Sequence, residues 1–263
     1  MKVVATIEAR MTSKRLPGKV LRELDGAPML QRIIERAGRA GRVDQVILAT
    51  TVNRTDDPLE DLARRLGAAC HRGSEDDVLD RVLQAARSSG GDLIVELTGD
   101  SPFTDPSLID DMVDFYRTGG YDYVANTAMR HSAQWEKDPT FPIGTSVEIF
   151  SADLLGKVAG WTQDPIDHEH VSSYIFERPD RFRLGAFEAE GKWERCRRPD
   201  VRLTVDTPED LALAREVYAR LHPRNPRFTL MDVIEVFEKE PELLAINGQV
   251  VQQRVFEQRQ ASA

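Results

Sequence analysis

Short apolar runs rich in β-branched residues alternate along this chain with stretches of helical periodicity. The runs at 3–7, 46–51 and 93–97 are apolar at nearly every position. This pattern is typical of strands buried on both faces, which occur in parallel sheets covered by helices on each side. The alternation of strands and helices therefore predicts an α/β fold.

The predicted helices have recognisable first residues. Asp57 and Pro58 suit the N-cap and first position of one helix. Thr207 suits the N-cap of a later helix, with Asp210 placed to complete a capping box. Just before that helix, residues 201–205 are predicted to form another strand.

Three regions can be separated along the chain. Residues 127–200 contain prolines, tryptophans and short alternating strands. We interpret them as a small inserted region that covers the sheet and shapes a second site. Residues 1–222 would then form the main domain, and residues 223–263 a helical extension.

The composition excludes several classes of protein. The net charge of -9 argues against binding nucleic acid through its phosphates, and no apolar run reaches the ~18 residues that a membrane helix needs. The only cysteines, Cys70 and Cys196, can form neither a disulfide framework nor a four-thiolate zinc site. We expect a cytoplasmic protein, because so few cysteines suit a reducing compartment.

The loop after the first apolar run is strongly basic, with Arg10, Lys14, Arg15 and Lys19 within ten positions. It lies at the carboxyl end of a strand, where open α/β sheets bind ligands. Neither the dinucleotide glycine fingerprint nor a P-loop is present, which disfavours an oxidoreductase. Several cations on one loop suit a polyphosphate, and a solvated basic loop is the alternative. We expect Lys19 to contribute little to stability, because loop lysines rarely support a core.

Two aspartates each follow a predicted strand and each precede a proline by two residues. They are Asp100 and Asp206. Both should lie at the same edge of the sheet, where two carboxylates beside a polyphosphate would suit Mg²⁺. The alternative is that each caps the next helix, but Thr207 already fills that position after Asp206.

Two further motifs are open to more than one interpretation. The Gly-Ser turn at 73–74 could hold a base edge or a ribose through free N–H groups, or could be an ordinary helix N-cap. His168 and His170 alternate, but too few other ligands accompany them to favour zinc. Either histidine, or Arg202, could contact an anionic ligand.

Taken in order, these motifs resemble those of the CMP-sugar synthetase family (acylneuraminate and Kdo-type cytidylyltransferases), and most of all its SpsF-like cytidylyltransferases. The resemblance covers roughly residues 1–220. The matching segments are 9–19, 24–30, 72–81, 98–102, 126–127, 144–150, 169–171 and 203–210.

The resemblance implies a Rossmann-like nucleotidyltransferase fold of the glycosyltransferase type A kind. Such a fold has a mixed sheet with helices on both faces and a small inserted region, here residues 127–200, for acceptor binding and dimerisation. It also implies CTP and Mg²⁺ as ligands, and a homodimer.

The resemblance also implies roles for individual residues. The catalytic set is Arg10, Arg15, Lys19 and Asp100. The nucleotide-binding set is Ala9, Arg10, Lys19, Arg72, Ser74, Asp77, Thr98 and Gly99. The acceptor-binding set is Asn126, Glu148, His168, His170 and Arg202. The metal ligands are Asp100 and Asp206.

The expected reaction is Mg²⁺-dependent transfer of CMP from CTP to a small anionic acceptor, with release of pyrophosphate. The acceptor could be a phosphonate, a phosphate or a sugar acid, and the lack of an obvious base leans toward the first two. Two features depart from the family pattern: Lys14, and a longer segment at 131–141 where acceptor specificity should be set. The alternatives are a non-catalytic nucleotide-binding module and a transferase that uses another nucleotide.

Overall fold

A computed structural model of the protein describes residues 1–126 and 139–252. Most of the segment in which acceptor specificity was predicted, residues 131–138, lies outside the described residues. The last part of the predicted C-terminal extension, residues 253–263, also lies outside them.

A mixed sheet of seven strands lies at the centre of the described residues, which confirms the predicted fold class. The strands of the chain are β1 Val3–Glu8, β2 Glu23–Leu24, β3 Ala27–Pro28, β4 Gln45–Thr51, β5 Ala69–Gly73, β6 Leu93–Thr98, β7 Tyr123–Ala125, β8 Glu148–Ser151 and β9 Leu184–Ala186. The order in the sheet is β5-β4-β1-β6-β8-β7-β9, and β2 and β3 form a separate hairpin. Strand β8 runs antiparallel to both of its neighbours.

Helices cover both faces of the sheet. They are α1 Met29–Ala37, α2 Asp57–Arg65, α3 Val78–Ser88, α4 Pro106–Gly119, α5 Ala152–Trp161, α6 Pro165–Glu169, α7 Ser173–Phe176, α8 Pro208–Leu221 and α9 Leu230–Lys239. Helices α1, α2, α4, α8 and α9 bury their apolar residues on one face. Helices α3, α5 and α7 bury theirs on the other. Helix α2 begins one residue earlier than predicted, with Asp56 rather than Asp57 at the N-cap.

The described part of the predicted inserted region, residues 139–200, contributes strands to the sheet itself in addition to the covering role expected of it. Its strand β8 lies inside the sheet between β6 and β7, and β9 forms one edge. Ile149 packs into the core on one face and Phe150 into the core on the other. Strand β8 therefore belongs to the main core, because it is apolar on both faces.

The prediction of a strand at 201–205 was wrong. Only a single bridge joins Arg202 to Ile143, and the segment is otherwise held by isolated backbone bonds. The Leu203 N–H donates to the Ile143 carbonyl at 2.7 Å, and the Val205 N–H donates to the Asp100 carbonyl at 2.9 Å. The second bond places Asp206 beside the loop that follows β6.

The described part of the predicted C-terminal extension packs into the main core. Phe228, Leu230, Ile234 and Phe237 are all buried there. Asp105 fixes the start of α9 by accepting a hydrogen bond from the Leu230 N–H at 2.6 Å. Along residues 1–126 and 139–252, no helix combines the length and apolar character that crossing a membrane would require.

Candidate active site

The basic loop at 9–18 is closed on itself and fixed to the neighbouring chain. Gly18 donates its N–H to the Met11 carbonyl at 3.0 Å, and Met11 donates its own N–H to Asp56 at 2.8 Å. Gly18 has a φ of 68°, a conformation in which glycine is favoured. After the turn at Gly18, Lys19 begins a short 3₁₀ helix and is buried.

Glu75 is the anchor for the outer part of this loop. It pairs with Arg10 at 3.2 Å and accepts hydrogen bonds from Thr12 at 2.6 Å and Asn53 at 2.5 Å. The hydrogen bond from Thr12 is the main cause of the lowered pKa of Glu75, with Asn53 and Arg10 adding to it. The loop therefore carries its cations on a fixed frame, which the sequence did not predict.

Lys19 joins the two predicted metal aspartates. Its Nζ lies 2.7 Å from Asp100 Oδ2 and 2.8 Å from Asp206 Oδ1. Thr98 adds a hydrogen bond to the other oxygen of Asp100 at 2.7 Å. The two carboxylates therefore meet at the edge of the sheet where the sequence predicted them.

The charges at this point reinforce one another. Burial alone would lower the pKa of Lys19, but the carboxylates of Asp100 and Asp206 outweigh it and raise the pKa. Burial alone would raise the pKa of Asp100, but the charge and hydrogen bond of Lys19 lower it. Lys19 and Asp100 therefore stabilise each other's charged forms.

Two arginines complete the surroundings of Asp206. Arg15 approaches Oδ1 of Asp206 from the loop at 2.9 Å, and Arg202 approaches Oδ2 at 2.9 Å. Arg202 also pairs with Asp210 at 2.9 Å and is only 6% exposed. Arg202, predicted to bind the acceptor, is not among the residues that line the cleft, and its two carboxylate partners make it a support for Asp206.

These groups line an open cleft of about 500 Å³. Its lining residues are Glu8, Ala9, Arg10, Ser13, Lys14, Arg15, Lys19, Val20, Val78, Arg81, Thr98, Gly99, Asp100, Glu169, His170 and Asp206. The cleft contains all four predicted catalytic residues, and Lys14 with them. Of the nucleotide-binding set, it contains Ala9, Arg10, Lys19, Thr98 and Gly99.

Three residues predicted to bind the nucleotide lie elsewhere. Arg72 is turned toward α2, where it pairs with Glu60 at 2.8 Å. The Ser74 hydroxyl accepts the Asp77 N–H at 3.1 Å, and Asp77 caps α3 by accepting the Asp80 N–H at 2.9 Å. This segment therefore forms the capping turn that the sequence left as one alternative.

Most of the predicted acceptor residues hold the structure around the cleft instead of lining it. Asn126 is buried and bonded to the backbone of Thr145 and Val147. Glu148 accepts hydrogen bonds from Tyr123 at 2.7 Å and Ser172 at 2.5 Å. These bonds pin β8 against its neighbours.

The two histidines differ in position. His168 pairs with Asp77 at 2.8 Å. Burial alone would lower the pKa of His168, but the hydrogen bond to Asp77 raises it. His170 lines the cleft, and is the one member of the acceptor-binding set that does so.

Glu8 is a cleft residue that the sequence reasoning missed. It ends β1, and burial raises its pKa to about 7. Its carboxyl interacts with that of Glu96, a buried residue of β6. The signal in the sequence was a glutamate in each of two apolar strands. Once the register is known, these two glutamates are diagonal neighbours on one face of the sheet.

Asp100 and Asp206 are the residues that could hold the predicted Mg²⁺. Asp100 and Asp206 supply hard carboxylate oxygens around one cation position, which Lys19 fills. No group of three or more His, Cys, Asp or Glu side chains suited to a metal occurs in the described residues. Mg²⁺ is commonly held by one or two carboxylates together with substrate phosphates, so the two aspartates fit it.

Comparison with known proteins gives consistent matches. A family model described as Cytidylyltransferase matches residues 4–259. The spore coat polysaccharide biosynthesis protein SpsF of Bacillus subtilis is 32% identical over 247 residues, which are 91% of this chain and 95% of that protein. The structure of a cytidylyltransferase from Leptospira borgpetersenii superposes with a TM-score of 0.84 at 31% identity, over 96% of this chain and 100% of that one. A structure of CMP:2-keto-3-deoxy-manno-octonic acid synthetase, complexed with CTP, has the same fold, with a TM-score of 0.62 at 21% identity over 84% of this chain and 99% of that one.

Proposed function

The chain belongs to the cytidylyltransferase family, and on that premise we propose that it transfers CMP from CTP to a small anionic acceptor and releases pyrophosphate. Membership makes it a CTP-using nucleotidyltransferase enzyme, which confirms the resemblance found in the sequence. The identity of the acceptor and the dependence on Mg²⁺ belong to the proposal.

The observation that carries the proposal is the meeting of a cationic loop with a pair of aspartates. Arg15 and Lys19 reach the carboxylate of Asp206 from the loop, and Lys19 also reaches Asp100. Transfer of a phosphoryl-type group requires mainly positioning and neutralisation of charge. This edge of the sheet offers fixed positive groups for a polyphosphate and carboxylates for a cation.

We propose that Asp100 and Asp206 hold Mg²⁺. When bound, this ion supplies a Lewis acid that lowers the cost of charge on the phosphate oxygens. Carboxylate oxygens are its preferred protein ligands, and Arg202 keeps Asp206 in place for this role.

The chain's own groups would bind and orient the nucleotide. Lys19 and Arg15 would turn from the aspartates toward the triphosphate and balance the charge that develops on the leaving pyrophosphate. Arg10 would hold the same phosphates from the outer part of the loop. Removing one such group commonly lowers the rate by about 10²–10³-fold.

The function is tested by pyrophosphate release with each of the four nucleoside triphosphates, with MgCl₂ or with EDTA. The acceptor panel contains one sugar acid, 3-deoxy-manno-octulosonate, one phosphonate, 2-aminoethylphosphonate, and one sugar phosphate. We expect release only with CTP, with Mg²⁺ and with an anionic acceptor. Binding of CTP without turnover across a broad panel would contradict the proposal.

The resemblance also leads us to propose a homodimer. Light scattering on the purified protein measures its molar mass directly. A mass near twice that of the 29.6 kDa chain would support the dimer, and a monomer at the concentration used in the activity assay would contradict it.

A further inference from the structure

Three carboxyl side chains lie on one face of the sheet beside the cleft. Glu96 of β6 stands directly opposite Glu148 of β8. Glu8 of β1 pairs with Thr98 and is therefore diagonal to Glu96. Side chains alternate along a strand, so Glu8, Glu96 and Thr98 share one face. None of these glutamates holds the nucleotide or the metal in the proposed transfer of CMP.

The charged groups that face this cluster are few. Arg81 of α3 is the main cation, and Glu148 and Asp100 add negative charge. Tyr123 of β7 interacts with both Glu148 and Glu96, and its pKa is raised mainly by burial. Three acids beside one arginine in a buried place cannot all be ionised at low cost.

The carboxyl pair resolves this conflict by sharing a proton. Burial, together with the charges of Glu8 and Glu148, raises the pKa of Glu96 well above its usual value, whereas burial raises that of Glu8 only to about 7. Oε1 of Glu8 and Oε2 of Glu96 are both buried, and neither receives a hydrogen bond from another described residue. A proton on Glu96 satisfies this contact, because Glu96 then donates to Glu8 and favours its carboxylate form.

Glu8 is the member of the pair that reaches the cleft. It lines the cleft together with Thr98 and Asp100. Its backbone carbonyl accepts the Gly99 N–H at 2.8 Å, which fixes it against the loop that carries Asp100. A partly ionised carboxyl thus lines the same cleft as Asp100 and Asp206.

We propose that Glu8 is the general base that takes the proton from the attacking hydroxyl of the acceptor, with Glu96 as the protonated residue that positions it. The inference rests on the proposed function, and it selects an acceptor that attacks through a hydroxyl, such as a sugar acid, over a phosphonate or phosphate. As the acceptor oxygen bonds to the α-phosphorus of CTP, its proton passes to the Glu8 carboxylate. The bond from the α-phosphorus to the bridging oxygen breaks, and pyrophosphate leaves with that electron pair.

The first test replaces the base. We expect Glu8→Gln to lower kcat for CTP and 3-deoxy-manno-octulosonate by about 10²–10⁴-fold, and to leave the Kd for CTP almost unchanged. Wild-type kcat should fall as the pH decreases below about 7, because the base becomes protonated. Glu8→Gln should lose this acid limb. Glu23→Gln, on the separate hairpin and exposed, is the matched control and should keep both rate and profile.

The second test changes the positioning residue. Glu96→Gln keeps a hydrogen-bond donor to Glu8, so its acid limb should stay near the wild-type pH. Glu96→Leu removes the donor, which raises the pKa of Glu8 and moves the limb to higher pH. A purely structural role for Glu96 would lower the activity of both variants without moving either limb, and this result would contradict its assignment.

An infrared measurement tests the pair without any substrate. The wild-type protein at neutral pH should show the carbonyl stretch of a protonated carboxylic acid, which Glu96→Gln should lose and Glu23→Gln should keep. Absence of this band from the wild type would overturn the shared proton.

The outcomes separate the two proposals. No pyrophosphate release by the wild type with any acceptor would overturn the proposed function, and the base role with it. If the wild type turns over and Glu8→Gln keeps the wild-type kcat and pH profile, the base role alone is overturned. Turnover only with 2-aminoethylphosphonate would overturn the hydroxyl acceptor.

Discussion

At the scale of single residues, Lys19 joins the two aspartates of the cleft, Asp100 and Asp206. The sequence suggested a loop lysine of little structural importance, yet its ammonium lies between two carboxylates and the residue is only 9% exposed. These contacts lead us to expect that Lys19 supports the fold as well as the ligand. Lys19 differs from an ordinary loop lysine because it follows the turn at Gly18 and begins a short 3₁₀ helix in which it is buried.

Lys19→Met should destabilise the protein as well as weaken its use of CTP. Removing one partner of a buried ion pair leaves charge uncompensated, and we expect a loss of about 2–4 kcal/mol in the free energy of unfolding. Urea denaturation at pH 7 measures it. Lys14→Met, at an exposed position of the same loop, is the control and should change stability by less than about 0.5 kcal/mol. Equal stability of the two variants would show that the ion pairs of Lys19 contribute nothing.

Glu8 should make stability depend on pH in a way that Glu8→Gln removes. Burial raises the pKa of the folded Glu8 from 4.5 to about 7, so the folded state binds more protons than the unfolded state between these values. Stability therefore falls as the pH rises through this window. The variant should gain on the order of 1–3 kcal/mol relative to the wild type between pH 5 and pH 8, as measured by urea denaturation. A difference that stays constant with pH would contradict the raised pKa.

At the scale of elements, the sequence predicted best the strands that are apolar on both faces. Strands β1, β4 and β6 were identified because burial on both sides leaves no alternation. The segment 201–205 has a similar composition, but within the described residues it forms a single β-bridge, between Arg202 and Ile143, and no strand. An apolar run indicates that a segment is buried, but a buried segment forms a strand only where a neighbouring strand pairs with it.

The site was predictable to the same extent. Asp100, just after β6, and Lys19, in the chain that follows β1, could be placed because the topology brings the carboxyl ends of these strands together. The sequence could not distinguish Asn126, Glu148 and Arg202 from ligand-binding residues. Their hydrogen-bond and ion-pair partners are distant in the sequence or set by the fold, so they are visible only in the structure. A polar residue in a family motif can serve the backbone as well as the ligand.

Gly99 sets the distance between the basic loop and the end of β6. A Cβ at this position would lie 2.6 Å from the Glu8 carbonyl oxygen and 2.8 Å from the Ala9 Cβ. Gly99→Ala should therefore push the two loops apart, cost about 1–3 kcal/mol and move Asp100. The control is Gly160→Ala in α5, where a Cβ would meet nothing within 4 Å. We expect the control to melt at or above the wild-type temperature and Gly99→Ala to melt below it, with a lower kcat. Equal melting temperatures and rates would mean that the loops can separate freely.

At the scale of the whole molecule, a chain of net charge -9 presents a cleft with several cations. Many of these cations are already paired with carboxylates that the fold supplies. Binding a polyphosphate therefore has to exchange partners. Arg15 and Lys19 would leave Asp206, and the freed carboxylates would need a new cation.

This exchange predicts that CTP and Mg²⁺ stabilise the protein together more than the sum of their separate effects. Mg²⁺ alone meets carboxylates that Lys19 already neutralises, and CTP alone leaves Asp100 and Asp206 without their lysine. CTP draws Lys19 away from the aspartates that Mg²⁺ needs, and Mg²⁺ neutralises the aspartates that CTP leaves without a lysine. Binding of the two ligands is therefore favourably coupled, by about 1–3 kcal/mol. Thermal denaturation with MgCl₂, with CTP in EDTA, and with both should show a shift for the pair that exceeds the sum. Asp100→Asn should reduce this excess and keep most of the shift due to CTP in EDTA, because the basic loop is intact. Additive shifts in the wild type would contradict the exchange and leave the aspartates as fixed partners of Lys19.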